Sequence, residues 1–242
     1  MSGKLYAVGI GPGKVSGMTG EAGEALDRSS CIVGYTLYVD LIREAFGERE
    51  YIATGMMKEE ERCRIALKRA FEGETVSVIC SGDPGVYGMA GLIFSLLPEY
   101  EGVTVKVIPG VTAATSGAAL LGAPIGHDFA VISLSDRLTP WEIIEKRLRN
   151  AAEADFCIAI YNPVSHSRPE HLTKACVILS EILPGDRLCG IARNIGRKNE
   201  TAELCTLKEL PARQADMITT VFIGNSETKE SGGRMITPRI IR

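Results

Sequence analysis

Val76-Ser77-Val78-Ile79-Cys80-Ser81-Gly82-Asp83-Pro84-Gly85-Val86-Tyr87-Gly88-Met89 changes character halfway along. Its first half is apolar and β-branched, the pattern of a strand buried on both faces, as in a parallel sheet. Gly82, Pro84 and Gly85 then break the run and start a turn. Apolar residues return at Met89, Leu92, Ile93, Leu96 and Leu97 with the spacing of one helix face. Gly82, Asp83 and Pro84 therefore fall at the C-terminal end of a strand, just before a helix, where open α/β sheets bind their ligands. The ordinary alternative is a Gly/Pro turn with Asp83 as a local cap. The functional reading gains weight because the chain makes similar small, polar strand ends elsewhere.

Upstream, residues 5–10 read as a strand that runs into Gly9-Ile10-Gly11-Pro12-Gly13. Thr19 is placed to cap a helix to about Leu26, with Glu21 in its first turn. Strands over 31–35 and 51–54 flank a helix over 37–46. An amphipathic helix follows, with Cys63, Ala66, Leu67, Ala70 and Phe71 on one face and Gly73 just past its end. Downstream, a strand over 103–108 ends in Pro109-Gly110-Val111-Thr112-Ala113-Ala114, and a helix of small residues over 115–121 stops at Gly122. This alternation predicts an α/β fold: a parallel sheet with helices on both faces. Gly122-Ala123-Pro124 is the expected hinge, giving domains 1–121 and 122–242.

The second half has a different pattern. Strands are expected over 129–133, ending in Leu134-Ser135-Asp136, and over 156–161, ending in Asn162-Pro163. Thr139-Pro140-Trp141-Glu142 has the form of a capping box with Pro at the first helical position. A helix spans 169–183, and strands follow over 187–192, 201–205 and 217–223. The short connection between the last two predicts a mixed, partly antiparallel sheet. Gly232-Gly233 and Pro238 predict a loose tail.

The 242 residues are 45% hydrophobic and 24% charged, with a formal net charge of −3. That length buries a core without staples. That charge argues against a large nucleic-acid footprint. No apolar run is long enough to span a bilayer and the N-terminus carries no signal-peptide pattern, so a cytoplasmic protein without a membrane partner is expected. The seven cysteines are scattered, with no C-x-x-C pair, and read as reduced core residues. His127, His166 and His171 have no ligand-like neighbours, so no metal site is expected. His171 is expected in a helix at the surface.

Gly9-x-Gly11-x-Gly13 invites a dinucleotide-binding reading, which fails in detail. The fingerprint needs a third glycine at position 14, where Lys14 stands. No acidic residue ends the second strand, which closes Val33-Gly34-Tyr35-Thr36, and Pro12 removes a donor that a pyrophosphate would use. No nucleophile motif appears, so hydrolysis through a covalent intermediate has no support. His127 beside Asp128 is the pair to consider as a proton shuttle. Tyr87 reads as packing. The strand ends at Gly11-Pro12-Gly13, Gly82-Asp83-Pro84, Thr112-Ala113 and Tyr161-Asn162-Pro163 would wrap a small polar organic molecule with backbone groups, without naming it.

In this order, G-x-G-P-G at 9–13, G-D-P at 82–84 and P-G-x-T-A-A at 109–114 resemble the tetrapyrrole (uroporphyrin-III/precorrin-type) methyltransferases over essentially the whole chain. Longer strings at 81–91, 120–129 and 132–141 resemble the branch that methylates carbon 17 of precorrin-3B or cobalt-factor III in cobalamin biosynthesis. The resemblance implies two α/β domains, a homodimer, and S-adenosylmethionine in the cleft between the domains. It implies methyl transfer to a tetrapyrrole coupled to contraction of the macrocycle. Cobalt would enter only if the substrate carries it. Carried over by motif, Pro12, Gly82, Asp83, Val86, Thr112 and Ala113 would line the cofactor pocket. Asn162 stands where several family members have Met, and Ala192 is a further position. His127, Asp128 and Asp136 are the acid–base candidates for contraction, and Arg168, Arg193 and Arg197 the candidates for substrate carboxylates. The alternatives are a family member acting at another ring carbon, on diphthamide or on ribosomal RNA, and, of another class, a non-catalytic tetrapyrrole carrier.

Overall fold

A computed structural model describes residues 3–239, and they form two compact units that divide between Thr112 and Ala113. The first unit holds β1 (Lys4–Gly9), α1 (Gly20–Asp27), β2 (Cys31–Tyr35), α2 (Thr36–Phe46), β3 (Glu50–Thr54), α3 (Glu59–Phe71), β4 (Thr75–Cys80), α4 (Ala90–Leu96) and β5 (Thr104–Ile108). The strands form one sheet in the order β3-β2-β4-β1-β5, and every pair is parallel. β4 is the middle strand, and five of its six residues are buried, as a run of β-branched residues in a doubly covered sheet requires. α1 and α2 cover one face, where Val8, Ile10, Leu26, Ile32, Ile42 and Ile79 pack together. α3 and α4 cover the other, against Leu5, Ala7, Val33, Val76 and Val78. The chain thus leaves β1 towards one face and β4 towards the other, so the loops after these neighbouring strands diverge. Open α/β sheets hold ligands at such a point.

The second unit holds α5 (Ala113–Leu121), β6 (Gly122–Ala123), β7 (Phe129–Ser133), α6 (Trp141–Glu153), β8 (Cys157–Tyr161), α7 (His171–Ser180), β9 (Leu188–Arg193), β10 (Thr201–Thr206), β11 (Thr219–Ile223), β12 (Lys229–Ser231) and β13 (Arg234–Ile236). The main sheet runs β10-β9-β11-β8-β7 and is mixed: β7–β8 is parallel and the other pairs are antiparallel. Its residues alternate between two cores. Ile158, Ile160, Ile191, Val221 and Ile223 face α6 and α7, while Ala159, Ala192 and Phe222 face α5. The small residues of α5 bring it close. A Cβ on Gly117 would stand 3.0 Å from Ile195 and from Phe222, and one on Gly190 would stand 2.6 Å from Leu121.

Four expectations need correction. The units part at Thr112/Ala113 and not at Gly122, because α5 packs on the second sheet; Gly122 and Ala123 are themselves paired with β13. The expected loose tail is a hairpin turned at Gly232-Gly233, with Met235 fully buried and the Thr237 hydroxyl donated to Pro124 O at 2.6 Å. The capping box at Thr139 does not form. Pro140 takes the cap position with extended backbone, ψ 144°, and no side chain caps the helix. Phe71 lies on the exposed side of α3, where it meets the Tyr100 ring edge-on at 6.4 Å.

Candidate functional site

The C-terminal edge of the first sheet is built from backbone at close quarters. Gly11 and Gly82 exchange two hydrogen bonds, Gly82 N to Gly11 O at 2.7 Å and Gly11 N to Gly82 O at 3.2 Å. Both have positive φ, 71° and 66°, a region open to glycine at little cost. The loop after β5 closes on the same spot. A Cβ on Gly110 would lie 2.1 Å from Gly82 O, and one on Gly9 would lie 2.6 Å from Gly110 N. Three loops from β1, β4 and β5 therefore meet where only glycine fits.

Asp83 ties this knot. Its Oδ1 accepts from Gly85 N at 2.7 Å and its Oδ2 from Gly110 N at 3.0 Å. One carboxylate thus shapes its own turn and holds the neighbouring loop, through bonds strengthened by its charge. The cap reading of Asp83 is correct locally, and the bond to Gly110 extends it. Thr19 caps α1 by accepting from Ala22 N and also donates to Pro109 O at 3.2 Å, binding the β1 and β5 connections. Pro12, Val86 and Thr112 stand on these loops. Tyr87 is exposed, with φ 52°, an uncommon region for an aromatic residue. At the far side of the same edge, the buried Arg62 donates to Thr54 Oγ1 and to Gly55 O, both at 2.8 Å, and lies over the Tyr35 ring. It pins the loop after β3.

In the second unit the ends of β7 and β8 lie side by side, with Leu134 N donating to Tyr161 O at 2.9 Å. Tyr161 Oη accepts from Ala114 N at 2.6 Å, so the first turn of α5, with Ala113, is anchored to the end of β8. Asn162 has φ 51°, which asparagine tolerates better than most residues, and donates Nδ2 to Ser133 Oγ at 2.9 Å. Ala192 lies wholly buried beneath α5, its backbone between Ala202 and Thr220.

The acid–base candidates fall into two environments. His127 and Asp128 are exposed at 54% and 81% of their side chains and meet each other at 3.5 Å. Asp136 is held: Arg168 Nη1 lies 3.4 Å from Oδ1 and His171 Nε2 lies 3.6 Å from Oδ2. Arg168 also donates to Ser135 Oγ at 2.7 Å and to Ser165 Oγ at 3.0 Å. Arg193 donates to Gln214 Oε1 at 3.0 Å and lies 3.8 Å from Asp216. His171 corrects the sequence reading. It begins α7 but is buried, its ring 4.7 Å from that of Trp141.

The seven cysteines are free and buried. Desolvation pushes Cys31, Cys80 and Cys205 up to about 11 and Cys63 and Cys176 up to about 12, so none of these offers a thiolate near neutral pH. Among the described residues, no group of three His, Cys, Asp or Glu side chains could hold a metal, and no helix is long and apolar enough to cross a membrane. Sequence reasoning passed over Gly110, Tyr161 as a helix anchor and Arg62, and it placed His171 at the surface. Gly110 sat inside the quoted P-G-x-T-A-A string, so a signal existed; the other three depend on what lies opposite them in space.

Comparison with known proteins bears on the fold and the family. The family model described as Tetrapyrrole (Corrin/Porphyrin) Methylases matches residues 4–211. A protein of Salmonella typhimurium named probable cobalt-factor III C(17)-methyltransferase is 45% identical over 97% of this chain and 98% of its own. A precorrin-3B C(17)-methyltransferase of Sinorhizobium sp. is 42% identical over 95% of this chain and 91% of its own. The crystal structure of the methyltransferase CobJ superposes with a TM-score of 0.91 at 40% identity, covering 98% of this chain and all of that one.

Proposed function

The chain belongs to the tetrapyrrole (corrin/porphyrin) methylases, and from that we infer that it methylates carbon 17 of a precorrin-3B or cobalt-factor III type tetrapyrrole in cobalamin biosynthesis. It is an S-adenosylmethionine-dependent C-methyltransferase. The observation that carries the reading is the knot of Gly9, Gly11, Gly82 and Gly110 tied by Asp83. These residues lie in the strings by which the sequence resembles the family, and they stand where the first sheet's loops diverge.

The residues present fit such a cofactor. The glycines let the loops after β1, β4 and β5 close on one another through their backbones, which sets where the loop residues beside them stand. Both Asp83 oxygens are taken up by Gly85 N and Gly110 N, so this carboxylate shapes the cradle. Pro12, Gly82, Val86 and Thr112 offer contacts on its loops, and Ala113 and Asn162, which belong to the second unit, are proposed from the resemblance of their motifs. When bound, S-adenosylmethionine supplies a methyl group already activated on a sulfonium. The chain's task is then placement of two reactants, worth up to about 7–11 kcal/mol of barrier. No nucleophilic side chain is required, in keeping with thiols held protonated by burial.

Contraction of the macrocycle accompanies methylation in this reading and needs proton movement. Of the three candidates, Asp136 is the one whose carboxyl is fixed by neighbours, and we assign the role to it ahead of His127 and Asp128. The chain acts in the cytoplasm as a homodimer, with a tetrapyrrole, and neither nucleic acid nor membrane, as its partner. Anaerobic incubation with methyl-labelled S-adenosylmethionine tests this, offering precorrin-3B, cobalt-factor III, uroporphyrinogen III and transfer RNA separately. Label is expected in one or both of the first two. Label in either of the last two, or in none, contradicts it.

A further inference from the structure

Behind Asp136 stands a group that the reading above leaves without a role. The His171 side chain is 10% exposed and that of Asp136 39%. His171 Nδ1 lies 2.8 Å from Leu134 O. A carbonyl oxygen only accepts, so Nδ1 carries its proton there. That fixes the tautomer: Nε2 is the position that gains or loses a proton, and it faces Asp136 Oδ2 at 3.6 Å. With Nε2 protonated, that contact is an ion pair rather than a hydrogen bond. The Trp141 ring packs against the imidazole, tilted by 51° with the centroids 4.7 Å apart. Arg168 Nη1, itself braced by Ser135 and Ser165, holds the other carboxylate oxygen.

Resting on the methylation-and-contraction reading, we propose that His171 is the positioning residue for Asp136. It aims the carboxyl and supplies it with a proton during contraction of the tetrapyrrole. The Nε2–H bond of the imidazolium breaks and its proton crosses to Oδ2, and the O–H bond so formed breaks in turn as that proton joins the substrate atom that supplies the electron pair. This leaves a carboxylate beside a neutral imidazole whose Nδ1–H still donates to Leu134 O. Solvent then returns one proton to Nε2. No oxidant or reductant enters this step. The other charges near the ring are Glu170, which precedes it, Lys174, 5.9 Å over the Trp141 ring, and Glu145 of α6, lining the same groove. None of these forms an ion pair with it among the described residues.

The test uses two isosteres. In His171→Asn the amide nitrogen falls near the place of Nδ1 and keeps the donor to Leu134 O. In His171→Gln it falls near Nε2 and keeps a donor to Asp136 that cannot titrate. Both are measured for S-adenosylhomocysteine binding, thermal midpoint, and the pH profile of contracted-product formation per folded molecule. The expected result is unchanged cofactor binding in both, a wild-type midpoint for Asn, and contraction slowed about 10²-fold in both. One limb of the wild-type pH profile should be lost in both. A His171→Asn protein with wild-type rate and pH profile overturns the proposal, as does a rate loss that vanishes once folded protein is counted. A wild-type enzyme that labels no tetrapyrrole overturns the methylation reading and this proposal with it. An active wild type beside an unaltered Asn variant overturns this one alone.

Discussion

Gly110→Ala places one methyl group where the three loops of the first sheet meet. An ideal Cβ there lies 2.1 Å from Gly82 O and 2.7 Å from both the carbonyl carbon and oxygen of Gly9. Ordinary carbon–oxygen approach begins at about 3.3 Å, so the closest contact is short by about 1 Å. Every atom in the way is backbone. Gly82 O also accepts from Gly11 N, so it cannot swing aside without giving up that bond. The loop after β5 must move instead, and the Asp83–Gly110 bond must stretch with it. Overpacking of this kind costs about 1–3 kcal/mol. Set against a total stability of about 5–15 kcal/mol, the protein still folds. At this chain length its thermal midpoint should fall by about 2–12 °C. Function should suffer more, because a displacement of about 1 Å near reacting groups costs about 10²-fold in rate. The assay is a thermal melt, calorimetric titration with S-adenosylhomocysteine, and methyl transfer per folded molecule. A variant that melts, binds and turns over like the wild type would refute the view that these glycines form a shared cradle.

Gly82→Val, at φ 66°, should abolish measurable S-adenosylhomocysteine binding while circular dichroism still reports a folded α/β protein; normal binding would exclude the assigned pocket. Asp83→Asn leaves one acceptor for two backbone donors, and urea titration should show a loss of about 1.5 kcal/mol, at the low end for charged bonds because the Gly85 contact is exposed. Asn162→Ala should destabilise by about 1–2 kcal/mol through its positive φ, with Asn162→Gly recovering part of that, which chemical denaturation of both variants will read. The thiols set an alkaline limit. Their folded-state values of about 11–12 stand above the ordinary 9.0 of the unfolded chain. Between those values the unfolded chain sheds protons that the fold retains. Stability from this source is whole below pH 9.0 and is lost as pH rises towards 11–12. A denaturation midpoint that holds steady across that window counts against it. At pH 8, an aromatic disulfide reagent should label the native thiols far more slowly than the urea-unfolded ones.

The first unit was readable because its signals are local. A buried strand that stops at Gly-Asp-Pro identifies itself without its neighbours, and Thr19 caps the helix its position suggests. The mixed second sheet also followed from pattern and loop length. What the sequence does not carry is the partner across space. Glycines at 232 and 233 read as a loose end, yet they turn a hairpin whose Met235 fills the space beneath α5. Gly122 reads as a hinge until β13 is seen beside it. The glycine-containing motifs were legible as strings, while the mutual contact of Gly9, Gly82 and Gly110 was not. Asp136 and Arg168 each stood out alone as charged residues. Their meeting with His171 needs the end of β7 and the start of α7 to be adjacent, which no periodicity encodes.

The most direct test is to locate the transferred carbon. Anaerobic reaction with ¹³C-methyl S-adenosylmethionine and precorrin-3B or cobalt-factor III, followed by carbon NMR of the isolated product, reads the position. The expected result is one labelled methyl on carbon 17. Label on another ring carbon, or no labelled tetrapyrrole from either substrate, would contradict the account.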